Sequence, residues 1–496
     1  MLDIRYIRDN SDRVKKAIQD KGINLDLDQL LSVDIRRREL LQETEALQAT
    51  KRAASKEMPK LSEADKKVKL LEMKEVDSRQ SELESSLVKV IQEYEGLLAI
   101  VPNIPSPESP IGPDESANVP FSYWGPKTGH VEAKDSENVA KVPTHFDFAP
   151  KSHIELGLKL DLLDFEAGSK TSGSRGYYLK NELVWLYWGV LQFGMKKLRD
   201  KHFNFLLPPV LLREFALFGS GHFPAGREEV YQVQEARVEG KEIHKEPVYL
   251  AGTSEPSLLA YYSDKVLDES ELPIKVAALT PCYRSEIGGY GKDTKGLYRV
   301  HEFFKVEQVV LSKADSSEAE QLHEELRSIA EEILQDLKLP YRVLNISTGD
   351  MGAGKYKMYD IETWMPSRSE YGETHSDSNL TDWQARRLNI KYKDSEGNIR
   401  FVYTLNNTAV ALPRLLIAIL ENYQQADGSI KIPDVLKPFV GFDKINTAPS
   451  TQTTPEPKAP EAPKSTHAVG PDTETKPVSP IGSNIPNNES KVTPII

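Results

Sequence analysis

Apolar residues in the first hundred positions recur every three or four residues. From about Ser62 to Ile100, Val76, Leu83, Leu87, Val90, Tyr94, Leu97 and Val101 advance by seven, four, three, four, three and four; from about Leu27 to Lys56, Val33, Leu40, Leu47 and Ala54 advance by seven. That period lays a stripe along one side of a helix, the seam of a coiled coil. Pro59 cannot continue the first helix, and Ser62-Glu63-Ala64-Asp65 has the form of a capping box opening the second. The pattern predicts two long helices folded back on each other, on the order of 50 Å in length. Such a hairpin satisfies its own seam, with a dimerising or spacing coil as the alternative.

Prolines at 102, 105, 107, 110, 113 and 120 then break the pattern, which places a linker here and a boundary near Gly112. Residues 181–202 read as an apolar to amphipathic helix bearing Leu183, Trp185, Leu186, Trp188, Leu191 and Phe193, followed by a strand at Phe205-Leu-Leu-Pro-Pro-Val. The run Ile274–Tyr283 and the alternating run Val300–Val310 predict an antiparallel hairpin whose long loop holds Gly288, Gly289, Gly291 and Gly296. Alternation sends Arg299, His301, Phe303, Lys305 and Glu307 to one face and Val300, Phe304 and Val306 to the other. A guanidinium, a ring and a carboxylate, each about 13 Å from the last, suit a phosphate, a base and an amine in a line. Tyr359–Trp364 alternates as a strand. In the run Tyr403–Tyr423, Pro413 fits the first turn of a helix. Arg414, at the start of that apolar helix, needs a partner, either a phosphate or a structural carboxylate.

Composition narrows the class. A net charge of −12 argues against indiscriminate coating of nucleic acid, though Lys51, Arg52, Lys56, Lys60, Lys66 and Lys67 gather near the hairpin turn, as phosphate contacts or as a solvated tip. Cys282 is the single cysteine, which excludes an internal disulfide or a cysteine zinc cluster and makes a reducing, cytoplasmic setting the expectation. No export or membrane segment is expected. Beyond Asn446 the chain turns to Pro, Thr, Ser, Glu, Lys and Asn, a composition that cannot bury a core and reads as a disordered tail. Gly349-Asp-Met-Gly-Ala-Gly-Lys355 nearly matches a phosphate-binding loop, but Tyr356 stands where Ser or Thr must hold magnesium, so that reading is rejected.

Arg284-Ser-Glu286, a glycine-rich loop ending Asp293-Thr-Lys-Gly-Leu297, and Arg299-Val-His-Glu-Phe-Phe-Lys-Val-Glu307 together resemble motif 2 of class II aminoacyl-tRNA synthetases, specifically the seryl-tRNA synthetases. The helix at 181–202 and its strand look like motif 1, Tyr403–Tyr423 like motif 3, and Val101–Asn118 like the family's arm-to-body linker. The resemblance covers roughly residues 1–443. It implies an α+β fold: an antiparallel coiled-coil arm with its linker over 1–112, a catalytic domain with an antiparallel sheet flanked by helices over 113–445, and the tail over 446–496.

The resemblance further implies ATP-dependent activation of L-serine to seryl-adenylate and transfer to serine tRNA, the arm gripping that tRNA, in a homodimer. Charging of selenocysteine tRNA is left open. By resemblance Arg284 and Arg414 are catalytic. Arg284, Ser285, Glu286, Arg299, Val300, Phe303, Glu373, Thr374, His375, Ser376 and Arg414 would bind ATP; within that set Glu286 takes the adenine amino group, Phe303 stacks on the base, and Arg299 and Arg414 steady the outer phosphates. Thr253, Ser254, Glu255, Arg284, Glu307 and Thr408 would surround serine, without deciding which carboxylate takes the ammonium and which the hydroxyl. Read alone, Thr253-Ser-Glu255 is equally an ordinary helix start. Glu373 and Ser376 would hold Mg2+, an oxygen-seeking ion. Many members of the family carry cysteine where this chain has Asp377 and Leu380. The rival readings are a carrier-loading ligase, which would not need the arm, and a silent RNA-binding paralogue, which would not need this set of charges.

Overall fold

The computed structural model describes residues 1–234, 246–287 and 295–446; Gly288, Gly289 and Gly291 of the hairpin loop, and the tail from residue 447, lie outside them. The seam produces the arm as expected. Helices Leu27–Glu57 and Glu63–Ile100 run antiparallel, since Gln29 bonds Glu93 while Lys51 reaches Asp77 and Gln80. Leu40, Ala54 and Leu83 are buried along the seam. Pro59 sits in the tight turn Met58–Lys60, and the Ser62 hydroxyl accepts from the Asp65 N–H, a cap worth about 1 kcal/mol. One seam position breaks the apolar rule. Asp34 is fully buried at the arm's root and is held there by Arg8, Arg37 and Arg38 at 3.0 to 3.5 Å.

The body of the chain is built on a nine-stranded sheet in the order Gly129–Glu132, Val119–Gly125, Tyr341–Asn345, Lys357–Met365, Glu370–Thr381, Tyr403–Ala411, Glu302–Ser312, Ile274–Tyr283 and Asn204–Phe205. All neighbours are antiparallel except the last pair. The final strand is shorter than the sequence suggests because Pro208 and Pro209, lacking an N–H, cannot extend the ladder. Helices Glu182–Asp200 and Ser316–Asp336 bury Leu186, Val190, Leu326 and Ile333 against Val306 and Val410 on one face of the sheet. Gly194 permits this approach, since a Cβ there would lie 2.5 Å from Val410 Cγ2. The opposite face is left for chemistry.

The proline-rich stretch after the arm is stitched to the body that carries the sheet. Asn103, Ser106 and Ser109 are buried, the Ser106 N–H donates to Tyr356 O at 2.7 Å, and the Thr348 N–H donates to Pro110 O at 2.9 Å. Among the described residues no helix is long and apolar enough to cross a membrane.

Candidate active site

Fourteen of the sixteen residues singled out from the sequence line one cavity of about 360 Å³ on the open face of the sheet. The central hairpin supplies its spine. Strands Ile274–Tyr283 and Glu302–Ser312 pair with Cys282 opposite Phe303 and Ala278 opposite Glu307, and Phe303, Lys305 and Glu307 point into the cavity. On the reverse face Phe304 packs against Tyr187 and Trp188, and Val306 is fully buried. Alternation misplaces His301, which precedes the strand: its Nδ1–H donates to Arg284 O at 2.9 Å and its ring meets Tyr231 outside the cavity. For the same reason Val300 lines the cavity although alternation sends it to the packing face.

Two bulges align the remaining groups. The register between strands Lys357–Met365 and Glu370–Thr381 jumps so that Ile361 faces His375 and Glu362 faces Glu373, leaving Thr374 as the extra residue. An inserted residue reverses the alternation. Glu373 and Ser376, three apart, therefore share the cavity face. In Tyr403–Ala411 the extra residue is Ala409, since Val306 faces Val410 and Glu307 faces Thr408; Asn406, Thr408 and Ala411 consequently line the cavity. The His375 Nε2–H donates to the carbonyl of this bulged Ala409 at 3.1 Å, and the Thr374 hydroxyl lies 2.7 Å from that of Thr363. Both side chains serve the sheet. Burial pushes the His375 imidazole down to about 4, so it is neutral.

Cations and carboxylates alternate along the cavity. Glu286 Oε2 accepts from Arg299 at 3.2 Å, Glu373 Oε2 from Arg414 at 3.0 Å, and Glu307 Oε2 lies 2.6 Å from Lys305 Nζ. Arg284 differs. Its Nε donates to Gly252 O at 3.3 Å, its guanidinium lies 5.3 Å from the Phe303 ring centroid, and among the described residues it has no carboxylate partner. Glu286 adopts a left-handed φ of 54°, a conformation rare for a side-chain-bearing residue and concentrated at functional sites. Burial pushes the Glu373 carboxyl up, but Arg414 and Arg284 outweigh it and hold it below the ordinary glutamate value.

At the other end Thr253 Oγ1 is buried without a partner among the described residues, beside Glu255. Glu255 Oε1 accepts from Gln384 at 2.6 Å and Asn406 at 2.9 Å, while burial still pushes its carboxyl up. Burial raises the Glu307 carboxyl too, against the pull of Lys305. Of the two residues not brought to the cavity, Ser254 is buried beneath it at the N-terminus of helix Glu255–Ala260, and the Ser285 hydroxyl donates to Glu228 O at 2.8 Å. The cavity also contains His222, Lys355 and Asn406, which sequence reasoning did not select, and Lys305, which it placed on the right face without a role. Alternation along Glu302–Ser312 was the available signal for Lys305. His222 and Lys355 arrive from loops with no periodicity to read.

Residues 1–105 match the family model described as seryl-tRNA synthetase N-terminal domain, and residues 233–423 match the tRNA synthetase class II core domain (G, H, P, S and T). The serine–tRNA ligase of Borreliella burgdorferi is 41% identical over 450 residues, 90% of this chain and 99% of that protein. The chain belongs to the seryl-tRNA synthetases. The serine–tRNA ligase of Deinococcus radiodurans is 42% identical over 445 residues, again 90% of this chain and 99% of that protein. The crystal structure of seryl-tRNA synthetase from Pyrococcus horikoshii complexed with ATP superposes with a TM-score of 0.78 at 37% identity, covering 90% of this chain and all of that one. The fold of this synthetase is accordingly the class II fold that motifs 1 to 3 implied, with the family's helical domain in front of it.

Proposed function

We infer that this synthetase condenses ATP and L-serine in the cavity beneath the central hairpin and transfers the seryl group to serine tRNA. The single observation that carries the reading is Arg284, which has no carboxylate partner among the described residues while it lines a cavity in which Arg299 and Arg414 already hold carboxylates. A free guanidinium there suits an α-phosphate and a substrate carboxylate. An oxygen of the serine carboxylate attacks the α-phosphorus, a new acyl–phosphate bond forms, the bond to the β-phosphate breaks, and pyrophosphate leaves. The tRNA terminal hydroxyl then attacks the acyl carbon and AMP departs. Catalysis is positioning and charge neutralisation.

Phe303 offers its ring to adenine, with Glu286 and Val300 beside it, and Arg299 and Arg414 face the outer phosphates. Glu373 and Ser376, hard oxygen donors brought to one face by the Thr374 bulge, fit Mg2+, which would supply charge neutralisation to the phosphates. Thr253, Glu255, Glu307 and Thr408 form the serine end. Their buried polar groups go unmatched when alanine enters, which supports rejection of it.

The arm, residues 1–112 with its linker, holds the tRNA. Arg52, Lys56, Lys60 and Lys67 at its exposed tip carry no carboxylate partner among the described residues, which favours phosphate contacts over internal pairing. Residues 113–445 are the catalytic domain and 446–496 the tail. Trp185, Trp188, Leu207 and Leu211 are exposed on and after helix Glu182–Asp200, Leu207 at 90%, and large apolar side chains left open to solvent support a homodimer in a cytoplasmic enzyme. The test is ATP–pyrophosphate exchange across all standard amino acids, followed by charging of total tRNA with the winner. Serine-dependent exchange with transfer to tRNA is expected. Exchange without charging would indicate a carrier ligase, and no exchange a silent RNA-binding protein.

A further inference from the structure

One wall of the cavity is held from outside the catalytic sheet. The loop Gly352-Ala-Gly-Lys355 lines the cavity near Glu255, and its two glycines and one alanine give it little packing of its own. Its one internal backbone bond runs from the Lys355 N–H to Gly352 O at 3.1 Å. Gly354 packs against the Trp383 ring, and the loop's carbonyls are otherwise bonded from the region that carries the arm. Lys21, which closes helix Ser11–Asp20, sends its ammonium into the loop, where it donates to the carbonyls of Gly352 at 3.3 Å, Ala353 at 3.1 Å and Lys355 at 2.5 Å. Asn103, just past the second arm helix, takes the carbonyl that is left: its side-chain amide donates to Gly354 O at 3.1 Å and to Leu380 O at 2.9 Å, and its backbone N–H to Ala353 O at 2.8 Å.

Every carbonyl of the loop is thus engaged by one of two residues that are 4–5% exposed. An ammonium buried this deeply without a carboxylate is costly, and the three carbonyl oxygens aimed at it are its compensation. Burial and the like charge of Lys355 push the Lys21 ammonium down to about 7, a cost a surface lysine avoids. The side chain of Lys355 reaches Met358 Sδ at 3.3 Å and, among the described residues, has no carboxylate partner. Its field nonetheless pulls against the burial that raises the Glu255 carboxyl and adds to the pull of Arg414 and Arg284 on Glu373, so it lies where an incoming anion would feel it.

We propose that Lys21 is a positioning residue of the active site, which fixes the Gly352–Lys355 loop and the Lys355 ammonium against the serine end of the cavity and ties that wall to the root of the arm. This rests on the reading of the cavity as the serine-activating site. A lysine on a helix remote in sequence then governs serine affinity without touching serine.

The test compares the full-length wild type with Lys21→Met, which keeps the stem but loses the donors, and Lys21→Arg, which keeps them. In serine-dependent ATP–pyrophosphate exchange, Lys21→Met is expected to raise the serine KM at least tenfold with kcat within threefold, and Lys21→Arg to stay within threefold in both. An unchanged serine KM in Lys21→Met overturns the proposal even if the thermal midpoint falls, because a structural anchor alone predicts that pattern. Should Lys21→Met not fold, Lys21→Gln, shorter but still a donor, replaces it: a smaller rise in KM supports the proposal and a wild-type KM overturns it. Amide hydrogen exchange over residues 352–358, read with no substrate present, is expected to accelerate at least tenfold in the same variant. Unchanged protection overturns the positioning role whatever the activity. Wild-type protein that exchanges with another amino acid would overturn the serine reading and leave the hydrogen-exchange result to judge Lys21.

Discussion

Glu421 and His153 lock the helix of motif 3, Arg414–Asn422, to the short helix His153–Lys159. The fully buried carboxylate accepts from the His153 backbone N–H at 2.9 Å and ring Nδ1–H at 3.1 Å, and its second oxygen accepts from the Ser367 N–H at 3.0 Å. The other ring nitrogen of His153 accepts from the Leu297 N–H at 3.1 Å, so the histidine also steadies the end of the motif 2 loop. Burial pushes the Glu421 carboxyl up, yet these donors overcome it and hold it below the ordinary glutamate value. Its contribution to stability is therefore complete above the unfolded value and is lost as pH falls through the folded one. Glu421→Gln is expected to cost about 1–3 kcal/mol at neutral pH and to flatten the acid limb of the stability curve, as read by urea denaturation between pH 7 and pH 3. An acid limb as steep as that of the wild type would show that other carboxylates set it.

His323 and Asp377 form a second buried pair, behind the active-site strand. Both side chains are fully buried, and Nε2 and Oδ2 lie 3.5 Å apart, too far for a good hydrogen bond. Replacing both by apolar residues, His323→Phe with Asp377→Leu, is expected to be neutral or to stabilise by up to about 4 kcal/mol. Asp377→Leu alone should gain less, since it leaves the imidazole without its carboxylate neighbour. Chemical denaturation of the three proteins gives the comparison.

Arg284→Ala is expected to lower serine-dependent exchange at least about a hundredfold, the scale of losing one preorganised charge donor, with the fold intact by circular dichroism. Retained exchange would remove Arg284 from the chemistry.

Thr253→Val keeps the shape of the side chain and deletes a buried hydroxyl that has no partner among the described residues. If that hydroxyl meets serine, the serine KM rises by the worth of one buried hydrogen bond, about 1–3 kcal/mol or roughly 5- to 150-fold, while the ATP KM stays put. Equal changes in both constants would point to a general loss of packing.

Replacing residues 41–90 of the arm by a short Gly/Ser turn keeps the root, where Asp34 is held by Arg8, Arg37 and Arg38 and where Leu27, Leu30 and Leu98 are buried. Exchange should remain within threefold and charging of serine tRNA should fall at least a hundredfold. Undiminished charging would make the arm a spacer.

Much of this was legible from local pattern, because periodicity is a property of neighbours along the chain. The steps of three and four fixed both arm helices, and alternation placed Phe303, Lys305 and Glu307 on one face. The spacing between Glu373 and Ser376 could be matched to a motif, but strict alternation sets residues three apart on opposite faces. Only the bulge at Thr374, created by pairing with Ile361 and Glu362 of the preceding strand, brings them to one face, and the bulge at Ala409 does the same for Thr408 and Ala411. His222 and Lys355 come from loops that carry no period at all. The hold of Lys21 on the loop at 352–355 joins residues more than three hundred positions apart. Sequence pattern determines which side of each element is apolar; which elements meet, and which carbonyls a buried ammonium finds there, is settled by packing in three dimensions.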